Sequence, residues 1–112
     1  MNEYTYLGRV EETASSDEIG WQETAGASVK LARIEQKNKF FVGETIEIMK
    51  PDGKNLSAVA KAIYSAEGEA MESCPHAGQQ VWVVFSEQAK EGDLLRRVNG
   101  KINRSDLERV KQ

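Results

Sequence analysis

The sequence predicts an all-β protein, a small antiparallel β-barrel of about six strands. Short segments rich in β-branched and aromatic residues recur along the chain. Turn residues separate them, often as a glycine beside an acidic residue, and no long segment has the helical period. Closing such a sheet removes the exposed strand edges that favour aggregation, so a barrel is preferred to an open sheet.

The composition indicates one soluble domain. The chain has 112 residues, of which 39% are hydrophobic and 29% charged. Its longest apolar run, residues 81–85, is far shorter than the ~20 residues of a membrane helix, so no membrane contact is predicted. The single cysteine excludes an internal disulfide and favours a cytoplasmic location.

The first strand is predicted over Tyr4–Val10, with Tyr4 and Tyr6 on one face by the period of two. The segment Thr13–Gly26 is rich in polar residues and glycine, which predicts a long solvent loop. Trp21 lies within it. We expect its ring to fold back over one end of the barrel; the alternative is an exposed contact residue.

The second strand is predicted over Ser28–Glu35, with Val29 and Leu31 pointing inward. Ile34 breaks the alternation, which indicates a bulge before the turn at residues 36–39. An aromatic stretch after this turn is predicted to fill the core: Phe40, Phe41 and Val42.

The third strand is predicted over Thr45–Met49, with Ile46 and Ile48 pointing inward. Gly43, just before it, is expected to adopt a positive φ, which glycine tolerates. Pro51-Asp52-Gly53 predicts a sharp turn, because proline presets φ and glycine accepts the tight position.

The fourth strand is predicted over Leu56–Tyr64. Three alanines fall on one face, and the larger Val59 and Ile63 fall on the other. Alanine favours helices, so a helix is the competing interpretation, but the flanking turns favour a strand. The remaining extended segments are predicted at Ala70–Ser73, Gln79–Ser86 and Leu94–Leu95.

The charge distribution divides the chain into a barrel domain, residues 1–97, and a basic tail, residues 98–112. From residue 94 onward there are six basic residues against two acidic ones, although the whole chain has a net charge of −3. Ser105 and Glu108 have capping-box spacing, which predicts a short helix over Ser105–Lys111.

No pattern predicts catalysis, a metal or a cofactor. Cys74 and His76 are two residues apart, but Pro75 favours a turn around a buried thiol over a nucleophilic pair. One histidine and one cysteine are too few for the common zinc sites. Several loop carboxylates lack the alternating spacing of a calcium loop, so we interpret them as solvated.

Basic residues near the turns are the candidate binding groups, because arginine and lysine bind phosphates. The aromatic side chains of Phe40, Trp21 and Trp82 are candidates for stacking on bases. The alternative is a solvated basic rim around core aromatics. The predicted substrate-binding residues are Lys37, Lys39, Arg96, Arg97, Lys101 and Arg104.

Two family resemblances follow from motifs across the chain. Glycine-acid corners before apolar strands, at residues 43–48 and 91–95, resemble the second-domain barrel of elongation factor Tu. A more specific motif, residues 36–53, resembles the C-terminal domain of the collagenase-like peptidase family U32. The same domain resembles this chain at residues 63–64, 68–71, 74–79 and 92–97. The polar loop at residues 13–26 is longer than the family usually has, and Ala77 replaces a frequent proline.

The family resemblance implies a non-catalytic accessory domain. Family members include collagenase-like proteases and proteins required for tRNA uridine hydroxylation, and their catalytic region lies in a larger N-terminal domain. The implied partners are that catalytic domain and a tRNA or protein substrate. The alternative is a protein-interaction module for a collagen-type substrate. None of the family's catalytic residues maps onto this chain.

Overall fold

A computed structural model describes residues 4–98, which form one antiparallel sheet closed into a barrel. Its strands are β1 (Tyr4–Ser15), β2 (Lys30–Glu35), β3 (Thr45–Met49), β4 (Leu56–Ser65), β5 (Ala70–Met71), β6 (Gln80–Phe85) and β7 (Leu94–Val98), with one helical turn, α1 (Gln22–Ala25). The strand order is β3-β7-β1-β2-β6-β4-β5. Pairing of β3 with β4 closes six strands into a ring, and β5 extends β4 outside it. The predicted fold class is confirmed.

The third strand agrees with the sequence prediction in both its limits and its orientation. Ile46 and Ile48 are fully buried in the core, as the alternation predicts. Gly43 has a φ of +94°, which confirms the expected positive φ. The turn at Pro51–Gly53 is also present, and the Gly53 N–H donates to the Lys50 carbonyl at 3.0 Å. Local residue chemistry therefore determines this hairpin.

The first strand is longer than predicted, because β1 pairs with two different strands along its length. Its first half pairs with β7 and its second half pairs with β2, up to Ser15. The predicted loop Thr13–Gly26 is therefore wrong at its start. Gly8 allows the change of neighbour, since a Cβ there would lie 2.8 Å from the Glu35 carbonyl oxygen. Only glycine permits this close backbone approach.

The second strand begins two residues later than predicted. Leu31 is fully buried, but it pairs with Ala14 and does not belong to the main core. Ala32 and Ile34 point into the barrel instead, which corrects the predicted orientation. The bulge predicted in this strand is wrong: the extra residue lies on the partner strand β1, where the register with β2 shifts between Val10 and Glu12.

The fourth segment is a strand, as predicted, but its two faces are not as predicted. The register with β6 shifts between Ala60 and Ala62. Ile63 consequently points into the core with Ala58 and Ala60, while Val59 is exposed. A one-residue irregularity reverses the face of every residue beyond it, which simple alternation does not anticipate.

The aromatic stretch after β2 divides between core and surface. Phe40 is fully buried, whereas Phe41 is half exposed and forms an isolated bridge with Ser73. The prediction that Phe41 fills the core is therefore wrong. The final strand extends through Val98, beyond the predicted Leu94–Leu95. The predicted helix at residues 105–111 lies outside the described residues, and within residues 4–98 no helix is long or apolar enough to cross a membrane.

Candidate functional site

The predicted binding residues on the turn before β3 lie at the surface. Lys37 forms an ion pair with Glu35, with the Nζ and Oε1 atoms 3.5 Å apart. Lys39 places its Nζ 5.4 Å from the centre of the Phe41 ring, within the range of a cation–π contact. Of the predicted basic residues within 4–98, only Lys39 has no carboxylate partner.

Arg96 and Arg97 are consecutive residues of β7, so their side chains leave opposite faces of the strand. The Arg96 Nε donates to Glu47 Oε1 at 2.5 Å on the adjacent strand. Its guanidinium also stacks on the Tyr4 ring, 3.7 Å from the ring centre. Arg96 is therefore held against the outer face of the sheet by one charge and one aromatic ring.

Arg97 contacts the turn before β3 instead. It forms an ion pair with Glu44 and donates through Nη2 to the Lys39 carbonyl at 2.8 Å. Glu44 also accepts a hydrogen bond from the Phe41 N–H at 3.1 Å. Hydrogen bonding to Glu44 raises the pKa of Arg97 above its usual value, and burial opposes that shift only in part. Arg97 therefore fastens this turn to β7.

The structure brings Arg97 and Lys39 together, but it directs Arg96 to a different face and pairs Lys37 with Glu35 at the end of β2. Lys101 and Arg104 lie outside the described residues. Residues 4–98 contain eleven basic and fifteen acidic side chains, a net charge of −4. Three of the four described candidates are neutralised by carboxylates, so they offer little free charge to a phosphate backbone.

An exposed apolar face, which the sequence reasoning did not identify as a site, surrounds the Arg96–Glu47 pair. Four large side chains on the β1–β7 pair are each 37–43% exposed: Tyr4, Tyr6, Leu94 and Val98. Tyr4 is paired in register with Val98, and Tyr6 with Arg96. Residues directly opposite on antiparallel strands share one face, so these side chains form one surface. We call these four residues, with Arg96 and Glu47, the β1–β7 face.

The sequence contained one signal for this face, since the period of two places Tyr4 and Tyr6 on the same side of the strand. Leu7 points to the other side and is buried. Clustered exposed apolar side chains mark an interaction site more often than single ones do. The face also lies on β1 and β7, the first and last strands of the domain, which are paired with each other.

The predicted stacking aromatics are already engaged with one another or buried. Trp21 meets Tyr64 and Trp82 edge to face, with ring centres 6.0 and 6.1 Å away. Tyr64 and Trp82 are a cross-strand pair, so Trp21 covers the outer face of β4 and β6 and not a barrel end. Phe40 is fully buried and has no surface on which a base could stack.

Cys74 and His76 do not form a nucleophilic pair. The Cys74 Sγ lies 3.6 Å from the main-chain carbonyl oxygen of His76, and the imidazole is exposed. Burial raises the pKa of the Cys74 thiol, which disfavours the reactive thiolate. Within residues 4–98, no group of three or more histidine, cysteine or acidic residues is placed to hold a metal. These residues form a turn around a buried thiol.

Comparison with known protein families identifies the domain. Residues 2–96 match the family described as the peptidase family U32 C-terminal domain, which covers most of the chain. The chain belongs to this family. The resemblance derived from the motifs is thereby confirmed.

A sequence relative and two solved structures support the assignment to the U32 C-terminal domain family. The tRNA hydroxylation protein P of Escherichia coli strain K12 is 34% identical over 77 residues, which are 67% of this chain and 17% of the relative. This chain therefore spans about one sixth of that protein.

Two crystal structures of the C-terminal domain of a putative U32 peptidase from Geobacillus thermoleovorans share the fold. The selenomethionine variant has a TM-score of 0.62 and 20% identity, and covers 83% of this chain and 99% of its own. The other has a TM-score of 0.61 and 20% identity, and covers 80% of this chain and 88% of its own.

Proposed function

We propose that this U32 C-terminal domain is a non-catalytic accessory module that docks onto the larger, catalytic part of its parent protein. The parent protein is a peptidase-family or tRNA-hydroxylation enzyme. The single observation that carries the proposal is the β1–β7 face. It exposes two tyrosines and two aliphatic side chains beside the positions where the chain enters and leaves the barrel.

The composition of the β1–β7 face suits a protein partner. Tyrosine and arginine are enriched at protein interfaces, and Tyr4, Tyr6 and Arg96 lie together there. Arg96 is already paired with Glu47, so burying it beneath a partner does not leave an isolated charge. The free, buried Cys74 is consistent with the reducing cytoplasm that we propose for this module.

Binding of a tRNA substrate is less well supported by the described residues. Their net charge is negative, and Arg96, Arg97 and Lys37 each have a carboxylate partner. Electrostatic attraction to phosphates needs basic side chains that are free to release counterions. A collagen-type protein substrate is the alternative partner for the same apolar face. We propose docking to the parent protein because the face lies on β1 and β7, the first and last strands of the domain.

We expect Tyr6→Glu to weaken the association of this domain with the rest of its parent protein by about tenfold or more, because the carboxylate must be desolvated at the interface. Affinity is measured by titration calorimetry between the two separately purified parts. Phe41→Glu is the matched control, since it introduces the same charge at an aromatic residue of similar exposure, 49% against 43%, outside the face.

Equal affinities for Tyr6→Glu and the unchanged chain would contradict docking through this face. A tRNA titration at two salt concentrations tests the alternative. Strong, salt-dependent tRNA binding by the domain, with no measurable association between the two protein parts, would replace the docking proposal by an RNA-binding one.

A further inference from the structure

Arg9 points out of the barrel because the register of β1 with β7 shifts between Tyr6 and Gly8. Tyr6 pairs with Arg96 and Arg9 pairs with Leu94, so a step of three residues on β1 matches a step of two on β7. Arg96 and Leu94 are alternate residues of β7 and share its outer face, so Tyr6 and Arg9 share that face as well. Strict alternation from Tyr6 would direct Arg9 inward, whereas it is exposed. The bulge thus places Arg9 beside Leu94, at the edge of the β1–β7 face.

Arg9 differs from the arginine already described on this face in having no partner within residues 4–98. Arg96 is paired with Glu47 and stacks on Tyr4. Arg9 forms no ion pair and no side-chain hydrogen bond with any residue in that range. Its guanidinium lies beside the turn that precedes β7, since a Cβ at Gly92 would be 4.0 Å from the Arg9 Nη2 atom. Arg9 therefore presents its positive charge and its N–H donors at the surface.

The acidic side chains on the elements around Arg9 do not neutralise it. Glu35, on the neighbouring strand β2, is paired with a lysine of the following turn. Glu11, two residues further along β1, is paired with an arginine of β2. In the turn before β7, Asp93 is buried and paired with a lysine that follows β3. Glu91 of the same turn is exposed and forms no ion pair with Arg9. The described domain thus supplies no counter-charge to this arginine.

A partner that covers the β1–β7 face must accommodate this charge. Arg9 lies directly opposite Leu94 and follows Tyr6 on the same face, and both of those side chains are covered when the face is docked. Removing an unpaired charge from water is unfavourable unless the partner supplies an opposite charge. A carboxylate fits a guanidinium best, because two parallel N–H···O bonds can form between the planar groups.

We propose that the docking surface of the parent protein carries an aspartate or glutamate that pairs with Arg9. This inference rests on the proposed docking function and adds the chemistry of the partner surface, which is apolar opposite the tyrosines and acidic opposite Arg9. A nucleic-acid phosphate could also pair with an arginine. The apolar side chains around Arg9 favour a protein surface, and the excess of acidic residues within 4–98 opposes a polyanion.

The first test is made on the full parent protein with the substitution Arg9→Lys, which places a primary amine at the docking surface. Carbodiimide coupling joins an amine directly to a carboxylate where the two are in contact. We expect mass spectrometry to find position 9 joined to an aspartate or glutamate of the catalytic part. Lys61 is the internal reference: it is exposed on β4, three strands from β1 in either direction around the ring, and should not couple to the catalytic part.

The second test measures the contribution of the charge by calorimetric titration of the domain with the rest of the parent protein, as for Tyr6→Glu. We expect Arg9→Glu to weaken this association by at least about tenfold, because two carboxylates then face each other. Changing the cross-linked carboxylate to arginine should restore the affinity of Arg9→Glu. Lys61→Glu reverses the same charge at a residue that also has no ion pair within 4–98, and it should leave the affinity unchanged.

The two proposals fail in different ways. If Tyr6→Glu weakens the association but Arg9→Glu does not, docking stands and the pairing of Arg9 is overturned. Coupling of position 9 only to Glu35 or Glu91 of the barrel would also overturn it. If neither variant changes the association, docking through this face fails and the Arg9 pairing fails with it. Loss of tRNA binding in Arg9→Glu, with unchanged association of the protein parts, would assign Arg9 to a phosphate instead.

Discussion

Phe40→Ala is expected to lower the free energy of unfolding by about 3–5 kcal/mol, the usual cost of deleting a buried aromatic ring. Phe40 is fully buried and belongs to the cluster that joins the inward faces of the barrel strands. Its ring fills the interior beneath the turn before β3, so its loss leaves a cavity that a closed sheet collapses on poorly. Urea unfolding at equilibrium measures the change.

The neighbouring residue provides the control for that measurement. Phe41→Ala removes a ring of the same size, but this ring is 49% exposed, with the Lys39 Nζ 5.4 Å from its centre. We expect a loss of no more than about 1 kcal/mol, the value of an exposed cation–π contact. Similar losses for the two variants would mean that the core is not arranged as described.

Asp93→Ala is expected to have the second largest effect, a loss of about 3 kcal/mol in the free energy of unfolding. The Asp93 side chain is 3% exposed, and it forms an ion pair with the Lys50 Nζ. It also accepts a hydrogen bond from the Lys90 N–H at 2.9 Å. Its removal leaves the largely buried Lys50 ammonium without a carboxylate, with the Gln88 carbonyl at 3.2 Å as its remaining hydrogen-bond acceptor. We place the loss at the lower end of the usual range because Lys50 remains 16% exposed and can reach water.

Two further variants distinguish the effect of losing the Asp93 charge from the effect of disturbing the turn around it. Asp93→Asn keeps an acceptor for the Lys90 N–H but removes the negative charge, so we expect an intermediate loss in thermal and urea unfolding. Glu91→Ala changes an exposed acidic residue of the same turn and should shift stability by no more than about 0.5 kcal/mol. If Asp93→Ala were as mild as Glu91→Ala, the pair with Lys50 would not be a buried one.

The strands and the sharp turns could be predicted from the sequence because they depend on neighbouring residues. Alternation identified β3 and its inward isoleucines, and Pro51–Gly53 identified its hairpin. Alternation failed where one strand carries an extra residue opposite its partner, between Val10 and Glu12 and between Ala60 and Ala62. Those irregularities arise from barrel closure, which no local window of sequence contains.

The candidate site was less predictable, since it depends on which strands become neighbours. Arg96 looked like a free cation in the sequence, but β7 lies beside β3 and brings Glu47 against it. Trp21 was expected to fold back over a barrel end. Its actual position against Tyr64 and Trp82 could be predicted only from the β4–β6 register, which makes those two residues cross-strand neighbours. The β1–β7 face could be recognised only once the first and last strands were known to be paired.

Nitration of the three tyrosines tests the docking proposal most directly. The chain by itself and the full parent protein are treated with tetranitromethane, and each site is quantified by mass spectrometry. Tyr4 and Tyr6 are 43% exposed, whereas Tyr64 is buried and serves as an internal reference. We predict rapid nitration of Tyr4 and Tyr6 in the isolated domain and at least about tenfold slower nitration in the parent protein, because a docked face excludes the reagent. Equal rates for Tyr4 and Tyr6 in both proteins would contradict docking through the β1–β7 face.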